Sequence, residues 1–404
     1  MEYAMQITDL EKEQKITPFL RLGFRPFFSL GALFSVVSIL LWALTLSGSI
    51  SINFYGGSVF WHIHEMVFGF VCAIIVGFLL TAVQNWTGQR GLSGKPLLLL
   101  ITIWLCGRLV MLFPDILGDV TSSIIDLLFL PLAALFLAVP IIKVKQNRNL
   151  FFVPLLLLFA ITNLSMHMSV LMPESGSMKG AAYTVVMLVT FLMSVMSGRV
   201  TPMFTANGTQ TVKVTPIAWL DNLANGSILV LAISYLIEPI FVLPSVGKGI
   251  LFLVAGMLQL VRWLRWKPWI TLQVPLLWSL HASLMFICFG LLMLGIGYLS
   301  NQLPLNHLWH LLTIGGMGGL ILAMISRVSL GHTGRVLSTN KIMSFAFLLL
   351  FASAIIRSFG AWLFPALYLE MINASVVCWV IGYGIFIIRY TPWLLSARKD
   401  GRPG

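Results

Sequence analysis

Apolar residues along this chain fall in long unbroken runs, separated by short clusters of Gly, Pro and charge, and not in the one-sided stripes of surface helices. A helix that is apolar all round is buried in protein or lipid, and crossing a bilayer takes about 20 such residues. Twelve runs are predicted: Phe24 to Leu46, Val59 to Val83, Leu97 to Phe113, Val120 to Ile142, Leu150 to Leu171, Ala181 to Val200, Ile217 to Ile237, Lys248 to Val261, Val274 to Leu299, Asn306 to Arg327, Ile342 to Leu363 and Ala366 to Ile388. The third and eighth are the shortest. The prediction is an all-α polytopic membrane bundle of about twelve helices. It has an N-terminal segment over 1–23, a single transmembrane domain over 24–390 and a tail over 391–404. Residues before the first run mix Glu11 and Glu13 with Lys12 and Lys15, and that run is too long for a signal-peptide core, so it is expected to remain as a helix.

Composition strengthens this reading. Of 404 residues 58% are hydrophobic and 9% charged, against about 25% charged in soluble domains, which excludes a water-soluble fold. Cys72, Cys106, Cys288 and Cys378 stand singly in apolar runs and encode neither a disulfide framework nor a zinc ribbon. The net charge of +12 would fit nucleic acid only if it formed a patch. It does not, and no nucleic-acid partner is expected. Of the 25 Lys and Arg residues, counted in the loops and at the ends of the spans, 21 fall on the side of the terminal segments and alternate loops and only Lys179 and Lys248 on the other, while Arg108 and Arg357 fall inside spans. By the positive-inside rule both termini are expected in the cytoplasm.

Short matches recur four spans apart. Trp61-His62 opens the second span and Trp309-His310 the tenth, while Ser197-Gly-Arg-Val200 ends the sixth. They hint at three related four-helix units.

An ionisable group inside a bilayer is costly and therefore a functional candidate that needs a named partner. Arg108 and Asp126 stand at matching depths in neighbouring spans, where an ion pair is favoured over a proton relay; Arg357 and Glu370 stand similarly across the last turn. Histidine is more informative, because imidazole is the commonest transition-metal and haem ligand. Of seven, His62, His64, His167, His307 and His310 approach the predicted outer face; His281 lies nearer mid-membrane and His332 in a cytoplasmic loop. His307 and His310 share a helix face, whereas His62 and His64 point about 200° apart and cannot both reach one metal on a regular helix. A lone membrane histidine more often bonds another helix, but five at one level favour a metal. The expected ligand set is His62, His64, His310, His167 and Met66, with His62, His64, His307, His310 and His332 binding or flanking a cofactor. Thioether beside imidazole suits copper. Gly315, Gly316, Gly318 and Gly319 serve close packing or leave room beside a flat macrocycle, and Thr190, Ser194, Ser197 and Thr201 form interhelical glue or a polar wall.

At these residues the chain resembles the NnrS family of bacterial membrane proteins. The segments are Trp61-His62-Ile-His64-Glu65-Met66-Val-Phe68-Gly69, Gly77-Phe-Leu-Leu-Thr-Ala-Val-Gln-Asn85-Trp86-Thr87-Gly88, Gly198-Arg199-Val-Thr-Pro202-Met-Phe204-Thr205 and Arg327-Val-Ser-Leu-Gly331-His332-Thr-Gly334-Arg335. The resemblance implies a twelve-span protein containing haem and copper and associated with nitric oxide response and denitrification. It implies no settled reaction. The expected partners are the lipid bilayer, nitric oxide or a related small ligand, and a membrane or periplasmic electron donor. The competing function is a twelve-helix secondary transporter without haem, against which stands the loop from Thr87 to Pro96, too poor in charge for a major-facilitator carrier. A respiratory oxidase core is excluded by the absence of an adjacent His-His pair.

Overall fold

A computed structural model describes residues 10–174 and 177–402. The first nine residues of the N-terminal segment and the last two of the tail lie outside the described residues. The described chain is helical with no strand. Eleven helices are long and apolar enough to cross a membrane: α1 Phe24–Leu46, α2 Gly57–Thr87, α3 Lys95–Leu112, α4 Gly118–Lys143, α5 Asn147–Leu171, α6 Met178–Thr209, α8 Ser245–Arg265, α9 Pro275–Ser300, α10 Leu305–His332, α11 Lys341–Leu363 and α12 Pro365–Leu394. The remaining long helix, α7 Ala218–Leu236, is 19 residues. It occupies the predicted seventh span, but Asp221, Asn222 and Asn225 make its first turns too polar to stand with the others. The short third and eighth spans, by contrast, are full helices. The eighth runs on past its predicted end to bury Arg262 at 3% exposure.

Two compact units make up the chain. The first holds residues 1–178, 328–336 and 386–404, and the second holds 179–327 and 337–385. Exposed Leu33, Leu98, Leu99, Leu109, Val120 and Leu135 give the first unit an apolar outside, as lipid requires. Burial is uneven among the helices. In α2, α6 and α10 the apolar windows are 83, 78 and 78% buried, against 39–56% elsewhere, so the inner helices are those the short matches linked, four spans apart.

Within the first unit α1 lies tightly on α2. A side chain at Gly77 would collide with Phe27 at 2.6 Å, and the Phe24 amide donates to Thr81 Oγ1 at 2.9 Å. Arg25 closes the unit from the other end of the sequence. Fully buried, it donates from Nη1 to the carbonyls of Leu394 and Ser396 at 2.9 and 2.7 Å, satisfying acceptors that the end of α12 leaves open. The tail then folds back on the loop after α10. The Lys399 amide donates to Thr333 O, Arg398 donates to His332 O, and Arg335 lies over the Trp393 ring. Beside them Asp400, bonded by Arg398, has its carboxyl lowered to about 2. Gly334 stands at φ +70 with its open side against that carboxylate, where a Cβ would sit 2.7 Å from it.

In the second unit α8 and α9 interlock through glycine. Gly256 receives Leu292, Gly295 receives Leu253, and Gly249 receives Leu299. The glycines of α10 are filled in the same way. Gly315 meets Phe286, Gly316 meets Ile287, Gly318 meets Trp379 and Gly319 meets Ser283 and Phe351. Of the two expectations for these glycines, close packing is the one seen in these contacts. Likewise Ser194 on α6 is glue: it donates to Asn225 Oδ1 at 2.6 Å, and accepts from Gln259 at 2.6 Å and Arg262 at 2.9 Å.

Arg25→Met is expected to leave two carbonyls unsatisfied at a cost of about 3 kcal/mol, charge-assisted bonds contributing about 1.5–3 kcal/mol each. A thermal melt and limited proteolysis check it: the midpoint falls, and the segment after Leu394 becomes the first site cut.

Candidate metal and proton centre in the first unit

The local backbone of α2 and α10 departs from the α-helix just after each Trp-His pair. Residues Glu65–Val71 and Leu311–Gly318 are π-helical, as are Ile356–Gly360 in α11. Wider i→i+5 turns of this kind are rare and gather at functional sites. In both α2 and α10 a carbonyl of the π stretch accepts a bond from another helix. Trp104 Nε1 donates to Gly69 O at 2.9 Å, and Tyr383 Oη to Gly318 O at 2.8 Å. Helix α6, the third member of the sequence match, is α-helical throughout.

The π stretch of α2 begins with Glu65, which is fully buried. Its Oε2 accepts from Arg108 Nη1 at 2.6 Å, and Arg108 Nη2 donates to Asp126 Oδ1. The guanidinium thus bridges carboxylates of α2 and α4 from α3. Two glycines make the approach feasible. A Cβ at Gly69 would lie 2.7 Å from both Arg108 Nη1 and Glu65 Oε2, and one at Gly107 would lie 3.1 Å from Asp126 Oδ1.

Behind Arg108, Asp126 Oδ2 is met by His64 Nε2 at 3.2 Å, His167 Nε2 at 3.0 Å and Asn163 Nδ2 at 2.8 Å. Asn163 Oδ1 lies 2.9 Å from His64 Nε2, and Glu65 Oε1 lies 2.8 Å from His64 Nδ1. His167 Nδ1 meets the Tyr55 hydroxyl at 3.1 Å, which meets Ser123 Oγ at 2.7 Å. His64, Asp126 and His167 each offer an atom within 4.8 Å of the others, and all three residues are buried. A pair of imidazoles, a carboxylate and an amide oxygen around one point are able to hold a cation or a proton.

The remaining candidates stand elsewhere. His62 is half-buried and faces away from His64, its ring stacked on Trp42 of α1 with centroids 4.1 Å apart. Met66 follows with its sulfur 3.5 Å from Ser38 Oγ. His307 and His310 belong to the second unit. His310 Nδ1 lies 3.1 and 3.3 Å from the carbonyls of Asn306 and His307, to which it donates, making Nε2 the lone-pair nitrogen. Arg357 Nη1 donates to His307 Nδ1 at 3.1 Å, so neutral His307 carries its proton on Nε2. Arg357 was expected opposite Glu370; that carboxylate is exposed on α12, and the π turn around Arg357 turns the guanidinium to His307. His332 ends α10 against Phe24, ring centroids 5.3 Å apart, and does not sit in the loop that the span limits predicted. His281 Nε2 pairs with Thr205 Oγ1 at 2.9 Å.

Sequence reasoning missed Glu65, Asn163 and Tyr55. For Asn163 a signal existed, since it lies four residues before His167 and therefore on the same face of α5. For Glu65 the signal is an acid within an apolar run, next to His64. Tyr55 precedes α2 and carried no sequence signal.

Losing one partner of a buried pair strands a charge at about 3–5 kcal/mol. Arg108→Met and Asp126→Asn are each expected to lower stability by that order, and the double variant by clearly less than their sum. Melting curves of the four proteins check the coupling; simple additivity would show that the bridge carries no energy.

No curated protein matches the chain. A family described as NnrS protein does, over residues 18–398. That match reaches from just before α1 to the tail and takes in the π-bearing α2 and α10 together with the buried cluster of α2, α3, α4 and α5. The chain belongs to the NnrS family.

Proposed function

We propose that the protein is a haem- and copper-binding redox protein of the bacterial cytoplasmic membrane that acts on nitric oxide or protects against nitrosative stress, with both termini in the cytoplasm. The observation that carries the reading is the repeated Trp-His opening of α2 and α10, each running into a π stretch. Next in sequence to each imidazole, on another face of the helix, stands a buried indole, Trp61 stacked on Phe54 and Trp309 on Tyr183, whose Nε1 finds no hydrogen-bond partner among the described residues. An unmet donor in an apolar site costs about 1–3 kcal/mol, and a bound group bearing acceptors removes that cost. The residues therefore fit such a group.

His310 is the imidazole best prepared to ligate, because its Nδ1–H is committed to backbone carbonyls, the usual way a ligating histidine is oriented. His62 and Met66 offer the imidazole and thioether that suit copper, and Trp42 holds the His62 ring in place. His307 fits a donor at the rim of such a site, with Arg357 beside it as a fixed positive charge. A haem or copper centre supplies one-electron chemistry and an open coordination position for a small ligand. The electron comes from a membrane or periplasmic donor. His62 and Met66 in the first unit, and His310 in the second, are the residues that would hold such a group, each within its own unit. A secondary carrier without haem is the alternative, and the Trp-His openings that run into π stretches favour the metal reading over it.

His62→Ala and His310→Ala are expected to lower bound copper or iron and to weaken the Soret band of the purified protein while leaving insertion and helicity intact. Metal content and a Soret band that survive both changes would overturn the assignment. The orientation is checked by reporter fusions at the two ends, both expected to be active only inside the cell; a periplasmic signal from the C-terminus would point to α7, whose polar first turns make it the helix least suited to span.

A further inference from the structure

We propose that His64, His167, Asp126 and Asn163 form a closed binding site for one divalent cation of borderline softness, of the zinc(II) or iron(II) class, separate from any haem or copper. The argument starts from hydrogen-bond roles around His64. Its Nδ1 faces a Glu65 oxygen, and its Nε2 faces an Asp126 oxygen and the Asn163 amide oxygen. The orientation of that amide is set by its own NH2, which donates to Asp126. Among the described residues every polar partner of the ring is thus an acceptor. A neutral imidazole carries a single N–H, so one nitrogen lone pair would point at oxygen lone pairs with nothing between them. A cation at that point resolves the conflict.

Charge leads to the same place. Arg108 offsets one of the carboxylates of Glu65 and Asp126. With neutral imidazoles the set keeps one net negative charge inside the membrane, where an uncompensated charge is strongly disfavoured. A proton on His64 cancels it, and a divalent ion in the proton's place turns the set to one net positive charge.

Geometry favours the ion. Bonds of about 2.0–2.1 Å to nitrogen or oxygen put tetrahedral donors about 3.3 Å apart. Three of the donor pairs stand near that spacing, 3.2 Å from His64 to Asp126, 3.0 Å from His167 to Asp126 and 2.9 Å from His64 to Asn163, and His64, Asp126 and His167 offer atoms within 4.8 Å of one another, so the donors are already gathered. Each ligand is also held from behind. His64 Nδ1 has a carboxylate, His167 Nδ1 a tyrosine hydroxyl and Asp126 Oδ1 a guanidinium, the outer partners by which metal-binding side chains are oriented. Two imidazoles, a carboxylate and an amide oxygen, without sulfur, select zinc(II) or iron(II) over copper(I). His62 and Met66, on the other side of α2, take no part.

The test uses the full-length protein in detergent. After chelator treatment the wild type is titrated with Zn2+ and, anaerobically, with Fe2+, reading bound metal by mass spectrometry and the melting temperature. One equivalent with a raised melting temperature is expected, tighter for whichever of the two ions the site prefers. X-ray absorption at that metal's edge is expected to show nitrogen and oxygen ligation with imidazole scattering and no sulfur. His167→Gln and Asp126→Asn should weaken binding at least tenfold. His62→Ala and His310→Ala should leave this ion in place while changing haem or copper in the same samples, so the two assignments fail separately. If His167→Gln does not fold, the wild-type titration and absorption spectrum decide. Absence of stoichiometric binding by either ion, sulfur in the coordination shell, or unchanged affinity in the folded variants would overturn the site and leave a proton as the cation held there.

Discussion

A guanidinium has no stable place in hydrocarbon unless its charge is met, and the first unit is arranged around where Arg108 meets it. The side chain leaves α3 and reaches Glu65 of α2 and Asp126 of α4. That requirement fixes small residues at Gly69 and Gly107, places α5 so that Asn163 and His167 close the remaining side of Asp126, and makes the unit depend on polar contacts among four apolar helices. Lipid gives no hydrophobic drive for helices to associate, so van der Waals fit and a few buried polar bonds do that work. In the second unit Arg262 has the same part, bonded to Asp221 and to Ser194.

The π stretches connect backbone to chemistry. An α-helix satisfies its own carbonyls, so it has few to offer a neighbour. A π turn loosens that ladder, and in α2 and α10 the loosened part presents Gly69 O to Trp104 and Gly318 O to Tyr383. It also changes the angular spacing of side chains. Glu65 and Arg357, the two charged residues within π stretches, both point inward to a partner, one to Arg108 and His64 and the other to His307. Maintaining such turns costs regular hydrogen bonding, and in each helix the π stretch starts within three residues of the Trp-His pair.

The histidines divide by their environment. His64 and His167 are sealed among acceptors and suit a permanent cation. His62 and His310 are half-buried, and the group proposed for them would approach from outside the packed core. One family of side chain thus serves two kinds of site because residues two apart on the α-helical start of α2 point to different sides, His62 to α1 and His64 to α4 and α5.

Hydropathy alone determined the helical class, the number and order of long helices and the regularity of the basic loops, because the bilayer imposes one length and one polarity on every span. Matching depth likewise made Arg108 and Asp126 natural neighbours, and the 200° between His62 and His64 already forbade a shared ligand role on a regular helix. Only the tertiary structure decided that Glu65 joins Arg108, that Asn163 and Tyr55 complete the surroundings of the two buried imidazoles, that Arg357 turns to His307 instead of Glu370, and that the α10 glycines are filled by Phe286, Ile287 and Trp379. Those outcomes depend on which helix faces which and on where an α turn becomes a π turn. Neither is encoded in the period of an apolar run, since in lipid every face of a helix is apolar and the inward one is marked only by the few polar or small residues that find partners there.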